Sequence, residues 1–448
     1  MGYNHRIDTR ETKTQITIPI KGTAGLQVVV GTAPVNMAED YKAAVNVPVI
    51  AYSFTEAQKQ LGYSDDFAKY TLCQAMDASF RVFAVAPVIF INVLDPEKHK
   101  KEYRKDNIAV IAKKAEINEV GIILKTLEIK DQAEAALTMD TDYIASFNAS
   151  GGIDITLLST EKTVAVTNIK ASGIQIDPSM VTENDIIGGY DIATGKETGL
   201  EVIRQVYPKF GLVPGIILTP GWSQKPAVAA VMCAKTERVN GIFTCEAAID
   251  IDTVKVKVYT ALKEEKEELA ISNDHAILLW PKVRLGKKVY AFSAVWAAMT
   301  AYTDVQNNDI PLKSPSNEPL HMGAAVLEDG TDVILDTTMA EMVNSFGIVT
   351  AINDGGWKSW GNNTAAYPMI VDPKDRWICC RRMMSWYRNR FILTYKEKVD
   401  DPTNYRLIES IVGSENLFLN SLTQTEKIAG GSIRFNEEDN PIEQIMGG

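Results

Sequence analysis

Hydrophobic and polar positions alternate at both ends of the chain, in segments that have no neighbouring strand to pair with. Thr14-Gln15-Ile16-Thr17-Ile18-Pro19-Ile20 has the two-residue period of a half-buried strand, between a charged leader and the flexible Lys21-Gly22-Thr23-Ala24-Gly25. At the other end, Gly430-Gly431 releases Ser432-Ile433-Arg434-Phe435-Asn436, then the acidic turn Glu437-Glu438-Asp439-Asn440-Pro441 and a last apolar stretch, Ile442 to Met446. Strands that leave a protein body expose unpaired N–H and C=O groups, so two such arms predict pairing with other copies of the chain. The competing reading is frayed termini.

Between the arms the pattern predicts a core interrupted by an insert. Leu26 to Gly31 reads as a short buried strand, Thr55 to Phe80 carries apolar residues at helical spacing, and Val82 to Val93 reads as a strand. This order suggests an α/β unit with a right-handed crossover, with Pro87 marking an edge or a bend. From about Asp95 to Tyr190 aromatics thin out. Short alternating runs there (Asp142 to Phe147, Ile153 to Leu157, Thr163 to Val166, Ile174 to Ile176) are separated by turn residues and predict a small β-rich insert. Beyond Gly199 the α/β texture returns, with a helix over Leu200 to Tyr207, a strand over Val213 to Leu218, a helix over Pro226 to Thr236 and a strand over Ile242 to Ile249. Asp252 to Leu269 is amphipathic and ends in Lys263-Glu264-Glu265-Lys266-Glu267-Glu268, read as a solvated helix face. The expected organisation is an arm over 1–25, a core over 26–94 and 191–429, the insert over 95–190 and a second arm over 430–448.

Composition narrows the function classes. The 448 residues are 46% hydrophobic and 23% charged, which fits a globular protein with more than one core. A net charge of -11 argues against nucleic acid as the main partner, since phosphate binding needs a basic field. No apolar run reaches the length of a bilayer span, and the start of the chain lacks a signal-peptide core, so synthesis in a cytoplasm is expected. The five cysteines form no C-x-x-C pair and read as buried thiols, and the four scattered histidines show no metal-ligand spacing.

Several segments in order resemble the contractile-tail sheath family. Gly199 to Ile203 through Leu218-Thr219-Pro220-Gly221-Trp222-Ser223, then the helix Ser293 to Asn308 leading to Pro315-Ser316-Asn317-Glu318-Pro319-Leu320, look like a sheath body. Trp357 to Thr364 is similar to the sheath tryptophan-glycine strand, and Trp377 to Met384 to the arginine-bearing helix after it. Gly430 to Phe435 with Asp439-Asn440-Pro441 stands where the C-terminal arm would be, and residues 95–190 lie outside the resemblance. The chain departs from the family pattern at Asn307 to Asn317 and at Lys398 to Asn404. It thus resembles a divergent branch, with phage tail, bacteriocin and other injection devices all open as host systems.

The resemblance implies a mixed-sheet α/β core with extended arms and an inserted β-rich domain. It implies no cofactor and no catalysis. The partners it implies are other copies of the chain in a helical homopolymer of hexameric rings, an inner tail tube, and baseplate and terminator or collar proteins. Gln15, Ile16, Thr17, Ile18 and Ile20, with Ser432, Ile433, Arg434 and Phe435, are the expected arm contacts. Arg381, Arg382, Arg388 and Arg390 stand out in an acidic protein and are candidates for facing an acidic tube, with salt bridges as the alternative and the helix Ser293 to Asn308 as a competing tube-facing element. The alternative function is an α/β enzyme without a recognisable motif: Gly195-Lys196-Glu197 lacks P-loop spacing, and no G-x-S-x-G occurs.

Overall fold

The computed structural model describes residues 24–400, 405–436 and 438. These fall into two compact units, one running to Arg388 and the other from Asn389.

The larger unit is built on an eight-stranded sheet. Its order is Pro48–Ala51, Val88–Asn92, Gln27–Gly31, Ile216–Leu218, Glu246–Asp250, Ala276–Leu279, Ile348–Asn353 and Trp357–Trp360. The pairings between Val88–Asn92 and Ile348–Asn353 are all parallel, while both outer strands run antiparallel. Strands such as Gln-Val-Val-Val-Gly and Ala-Ile-Leu-Leu are buried at every position, because a parallel sheet is covered on both faces and has no use for alternation. The helix Phe292–Gln306 is one such cover, with every residue from Phe292 to Ala301 buried.

Two expectations in the first part of the core fail. The helical stretch Thr55 to Phe80 is broken. Phe54–Leu61, capped by the Ser53 hydroxyl, stops at Gly62, and helix resumes only at Leu72–Met76, passing into a π-helical turn Asp77–Val82. Gly62 has φ 73°, and a Cβ there would lie 2.2 Å from the Pro34 carbonyl oxygen, so close packing fixes the break at a glycine. The strand expected from Val82 begins at Val88, directly after Pro87, and lies inside the sheet rather than at its edge. A proline placed just before the first ladder residue costs the ladder no hydrogen bond.

The insert holds two antiparallel sheets. Lys100–Ala109, Asn168–Ile176, Glu128–Asp131 and Ala136–Leu137 form one, and Lys114–Ile117, Ile153–Leu157 and Tyr143–Phe147 the other. Ile117, Ile129, Tyr143, Ile155 and Ile169 meet in one apolar cluster. Lys100–Ala109 has no clean alternation because Tyr103 and Ile108, five positions apart, both face this cluster. A bulge opposite Ile169 and Ala171, with Asn107 at φ 63°, switches the face between them. Thr163 to Val166, expected as a strand, is largely a turn closed by Thr163 onto Thr160 and Leu158.

The charge run of the Leu262–Leu269 helix is only partly a solvated face. Glu265 is buried with Lys255 3.6 Å away, and the Lys266 ammonium donates to the carbonyl oxygens of Phe346 and Tyr367, both at 2.6 Å. Burial draws the pKa of Lys266 down to about 8.

In the second unit the helix Ile378–Tyr395 ends and the helix Tyr405–Gln424 follows. Leu407, Ile408, Ile411 and Val412 of the latter are only half-buried, whereas Glu415, Leu419 and Leu422 are buried.

Candidate assembly interfaces

The chain enters the larger unit through a tight passage. A Cβ on Gly25 would stand 2.6 Å from the Ala301 Cα, so only glycine lets the backbone lie against the helix Phe292–Gln306. Beside it, Arg382 donates to the Ala24 carbonyl oxygen at 3.5 Å and forms a bidentate pair with Asp304, Nη1 to Oδ1 at 3.2 Å and Nη2 to Oδ2. Burial opposes the charge on Arg382, yet the Asp304 carboxylate more than offsets this and holds its pKa above the ordinary value. The expected N-terminal contacts Gln15, Ile16, Thr17, Ile18 and Ile20 lie outside the described residues.

The arginine helix differs from expectation. Arg381 bonds Asp274 at 3.1 Å and Asp375 at 2.9 Å, Arg382 is committed to Asp304, and Arg390 bonds both carboxylate oxygens of Glu415 at 3.0 and 2.8 Å. The Arg390 guanidinium also lies 3.5 Å from the Phe418 ring centroid. These three are therefore buried ion pairs within the chain, and of the four candidates only Arg388 is exposed. The competing helix Phe292–Gln306 is a core element for most of its length. It exposes apolar side chains only at Tyr302 and Val305, near its C-terminal end.

At the C-terminal end, Ser432, Ile433, Arg434 and Phe435 belong to no strand, yet their exposure keeps a two-residue period. Ser432 and Arg434 are exposed, whereas Ile433 and Phe435 are half-buried. The Asn416 side-chain amide grips the backbone of Ile433 at both ends, accepting from its N–H and donating to its C=O, each at 2.9 Å. An amide in this role mimics one rung of a β-ladder and pins the segment at Ile433. The helix carrying Asn416 escaped the sequence reading, although Leu407, Ile411, Leu419 and Leu422 stand at helical spacing.

At the carboxyl end of Glu246–Asp250, a central strand of the parallel sheet and the kind of position where α/β enzymes bind ligands, the space is filled from within. Asp250, at the end of its strand, accepts the Ser293 N–H at 2.8 Å, the Ser293 hydroxyl at 2.5 Å and the Ser223 hydroxyl at 3.2 Å. Its carboxylate thus occupies the N-terminus of the helix Phe292–Gln306, the natural place for an anion, and the adjoining cavity measures about 20 Å3. Burial pushes the Asp250 carboxyl above its usual range while the Ser293 and Ser223 hydrogen bonds pull it back. Cys73 is buried, its thiol pushed up to about 12, and Cys233 is half-buried, raised to about 11, so neither thiol is activated. Among the described residues no cluster of His, Cys, Asp and Glu could hold a metal, and no helix is long and apolar enough to cross a membrane.

No family model matches the chain. It is 25% identical over 462 aligned positions to the tail sheath protein of Burkholderia phage BcepMu, covering 100% of this chain and 92% of that one. It is 23% identical over 268 positions to a prophage major tail sheath protein of Pseudomonas aeruginosa, covering 59% of this chain and 66% of that one. The fold matches the sheath of an extracellular contractile injection system in its contracted state, with a TM-score of 0.55, 12% identity, and coverage of 100% of this chain and 92% of that one. The match to the phage protein spans residues 95–190 too, so the resemblance is wider than the segments that first carried it. Over its whole length the chain is thus similar to a contractile-tail sheath protein, and its fold is similar to that of a contractile sheath subunit.

Proposed function

We propose that this chain is the polymerising subunit of a contractile sheath. Its copies stack as rings around an inner tube, each lending its terminal arms to its neighbours, and contraction drives the tube through a target envelope. The observation that carries the arm reading is the Ser432 to Phe435 segment: two-faced in its exposure and held by Asn416 outside any sheet. Backbone pairing suits a linked array, because its hydrogen bonds keep strands in register while the bodies they tether rotate. The filled strand end at Asp250 supports a mechanical role over an α/β enzyme with its site there, and nothing in the scheme needs a nucleotide. Purified chain should accordingly pellet as polymer, and a chain that stays a closed small oligomer at all concentrations would contradict the proposal.

The tube contact is narrowed to Arg388, since Arg381, Arg382 and Arg390 are spent on internal carboxylates. Arg388→Glu is expected to weaken co-sedimentation with an acidic tube about tenfold without changing sheath polymerisation, the effect of reversing one exposed charge at a steered contact. Unchanged tube binding would move the contact elsewhere.

We read residues 95–190 as a separate domain on the outer surface. Residues from Tyr103 to Ala171 form their own apolar cluster, and the two chain crossings meet where the Asp177 N–H donates to the His99 carbonyl oxygen at 2.8 Å. Replacing 95–190 by a short linker should preserve soluble, polymerising protein. Aggregation of this variant on expression would show that the core depends on the insert.

A further inference from the structure

One surface feature of the larger unit is left unused by the arm scheme. A groove of about 420 Å3 is walled by Ile271, Phe346, Ala365, Pro368 and Met369, within the roughly 300–1,000 Å3 range of clefts that hold ligands. Its rim continues into an exposed apolar run, with Met369 80% and Val371 66% exposed, which a soluble surface rarely leaves uncovered without a partner. Its charged lip carries the exposed Lys263 and, one helical turn on, the exposed Glu267, with Lys266 clamping the walls together through the carbonyls of Phe346 and Tyr367.

The sequence supplies a segment of complementary chemistry. Glu437-Glu438-Asp439-Asn440-Pro441-Ile442-Glu443-Gln444-Ile445-Met446 carries four carboxylates, no basic residue and three large aliphatic side chains. It lies beyond Phe435, so it is free of the pairing assigned to the arm. Its ten residues reach about 33 Å when extended. Proline at its centre suits a segment that seats side chains in a groove better than one that extends a ladder.

We propose that the groove bounded by Ile271, Phe346, Pro368 and Met369 receives the Ile442 to Met446 segment of a second copy of this chain, with the tail carboxylates over Lys263. The proposal rests on the reading that copies assemble, and it adds a second, side-chain-based latch to the backbone pairing of the arms. Apolar burial supplies its strength, and attraction of the acidic stretch to Lys263 together with repulsion from Glu267 fixes its direction.

The test uses full-length chains with cysteine at Met369 (M369C) or at Ile445 (I445C). Mixed and allowed to polymerise, then oxidised, the two variants should give interchain dimers on a non-reducing gel, at least tenfold above either variant alone or the parent with its own five cysteines. Polymer without that dimer would overturn the groove assignment and leave the sheath reading standing, whereas a parent that never polymerises would overturn the sheath reading itself. In the M369C/I445C double variant, an intrachain disulfide formed at dilutions below assembly would replace the second copy by the chain's own tail. Lys263 is exposed, so its reversal leaves the fold intact. Lys263→Glu should raise the critical concentration several-fold and Glu443→Lys in the same chain should restore it, and failure of that rescue would count against the charged lip.

Discussion

Removal of residues 1–20, or of residues 430–448, is expected to leave a folded chain that sediments as a monomer at concentrations where the parent is fully polymeric. Among the described residues, the core starts at Leu26 and its eight-stranded sheet uses no residue from either deleted segment. The second deletion removes the two Asn416 bonds to Ile433 and the half-buried Ile433 and Phe435, while Asn416 is itself half-exposed and can bond water instead, so the loss of fold stability is expected to be modest. Between copies the loss is much larger. An arm that adds about five net backbone hydrogen bonds at about 1 kcal/mol each contributes about 5 kcal/mol, more than a thousandfold in association constant. Sedimentation velocity with a circular dichroism control separates the outcomes, and normal assembly by both truncations would remove arm exchange from the account.

The second large effect is expected at Asp304. Asp304→Ala leaves the Arg382 guanidinium, 2% exposed, with the long 3.5 Å bond to Ala24 in place of its bidentate partner. Breaking a buried pair by removing one member costs about 3–5 kcal/mol, a large share of the roughly 5–15 kcal/mol that holds a domain folded. Because Arg382 also holds the backbone where the N-terminal segment leaves the core, the variant should polymerise poorly even where it remains folded. Urea unfolding followed by tryptophan fluorescence measures the loss, and the pair-free double variant Asp304→Leu/Arg382→Met should regain much of it. A loss below about 1 kcal/mol for Asp304→Ala would mean that the site rehydrates and that the pair does not organise the entry passage.

Elements whose pattern is local were legible in the sequence. The helix Pro226–Thr236, with proline at its first position, and the strand Ile153–Leu157 fall at the residues where periodicity places them. Where a long-range contact overrides local pattern, the reading fails: Gly62 breaks a helix because Pro34 lies against it, and the bulge at Asn107 hides a ten-residue strand by letting positions of opposite parity face one cluster. The arginines show the same limit more sharply. Their positions on one helix were evident, but Arg382 and Arg381 find carboxylates 78 and 107 positions away, a pairing that no spacing rule contains. Asn416 is a further case, since an amide on a helix gives no sign in the sequence that it will hold the backbone of a segment 17 positions on.

The central claim is that this chain assembles by open helical contacts whose stable product is the contracted lattice. Made without tube or baseplate, subunits have no template for an extended form and should fall directly into the stable one. Negative-stain electron microscopy of the purified full-length chain tests this most directly. The account predicts long hollow tubes at moderate concentration, with a lumen too wide to grip a tail tube. Uniform compact particles of closed point-group symmetry at every salt and concentration would contradict it, because a heterologous contact that fails to close cannot produce them.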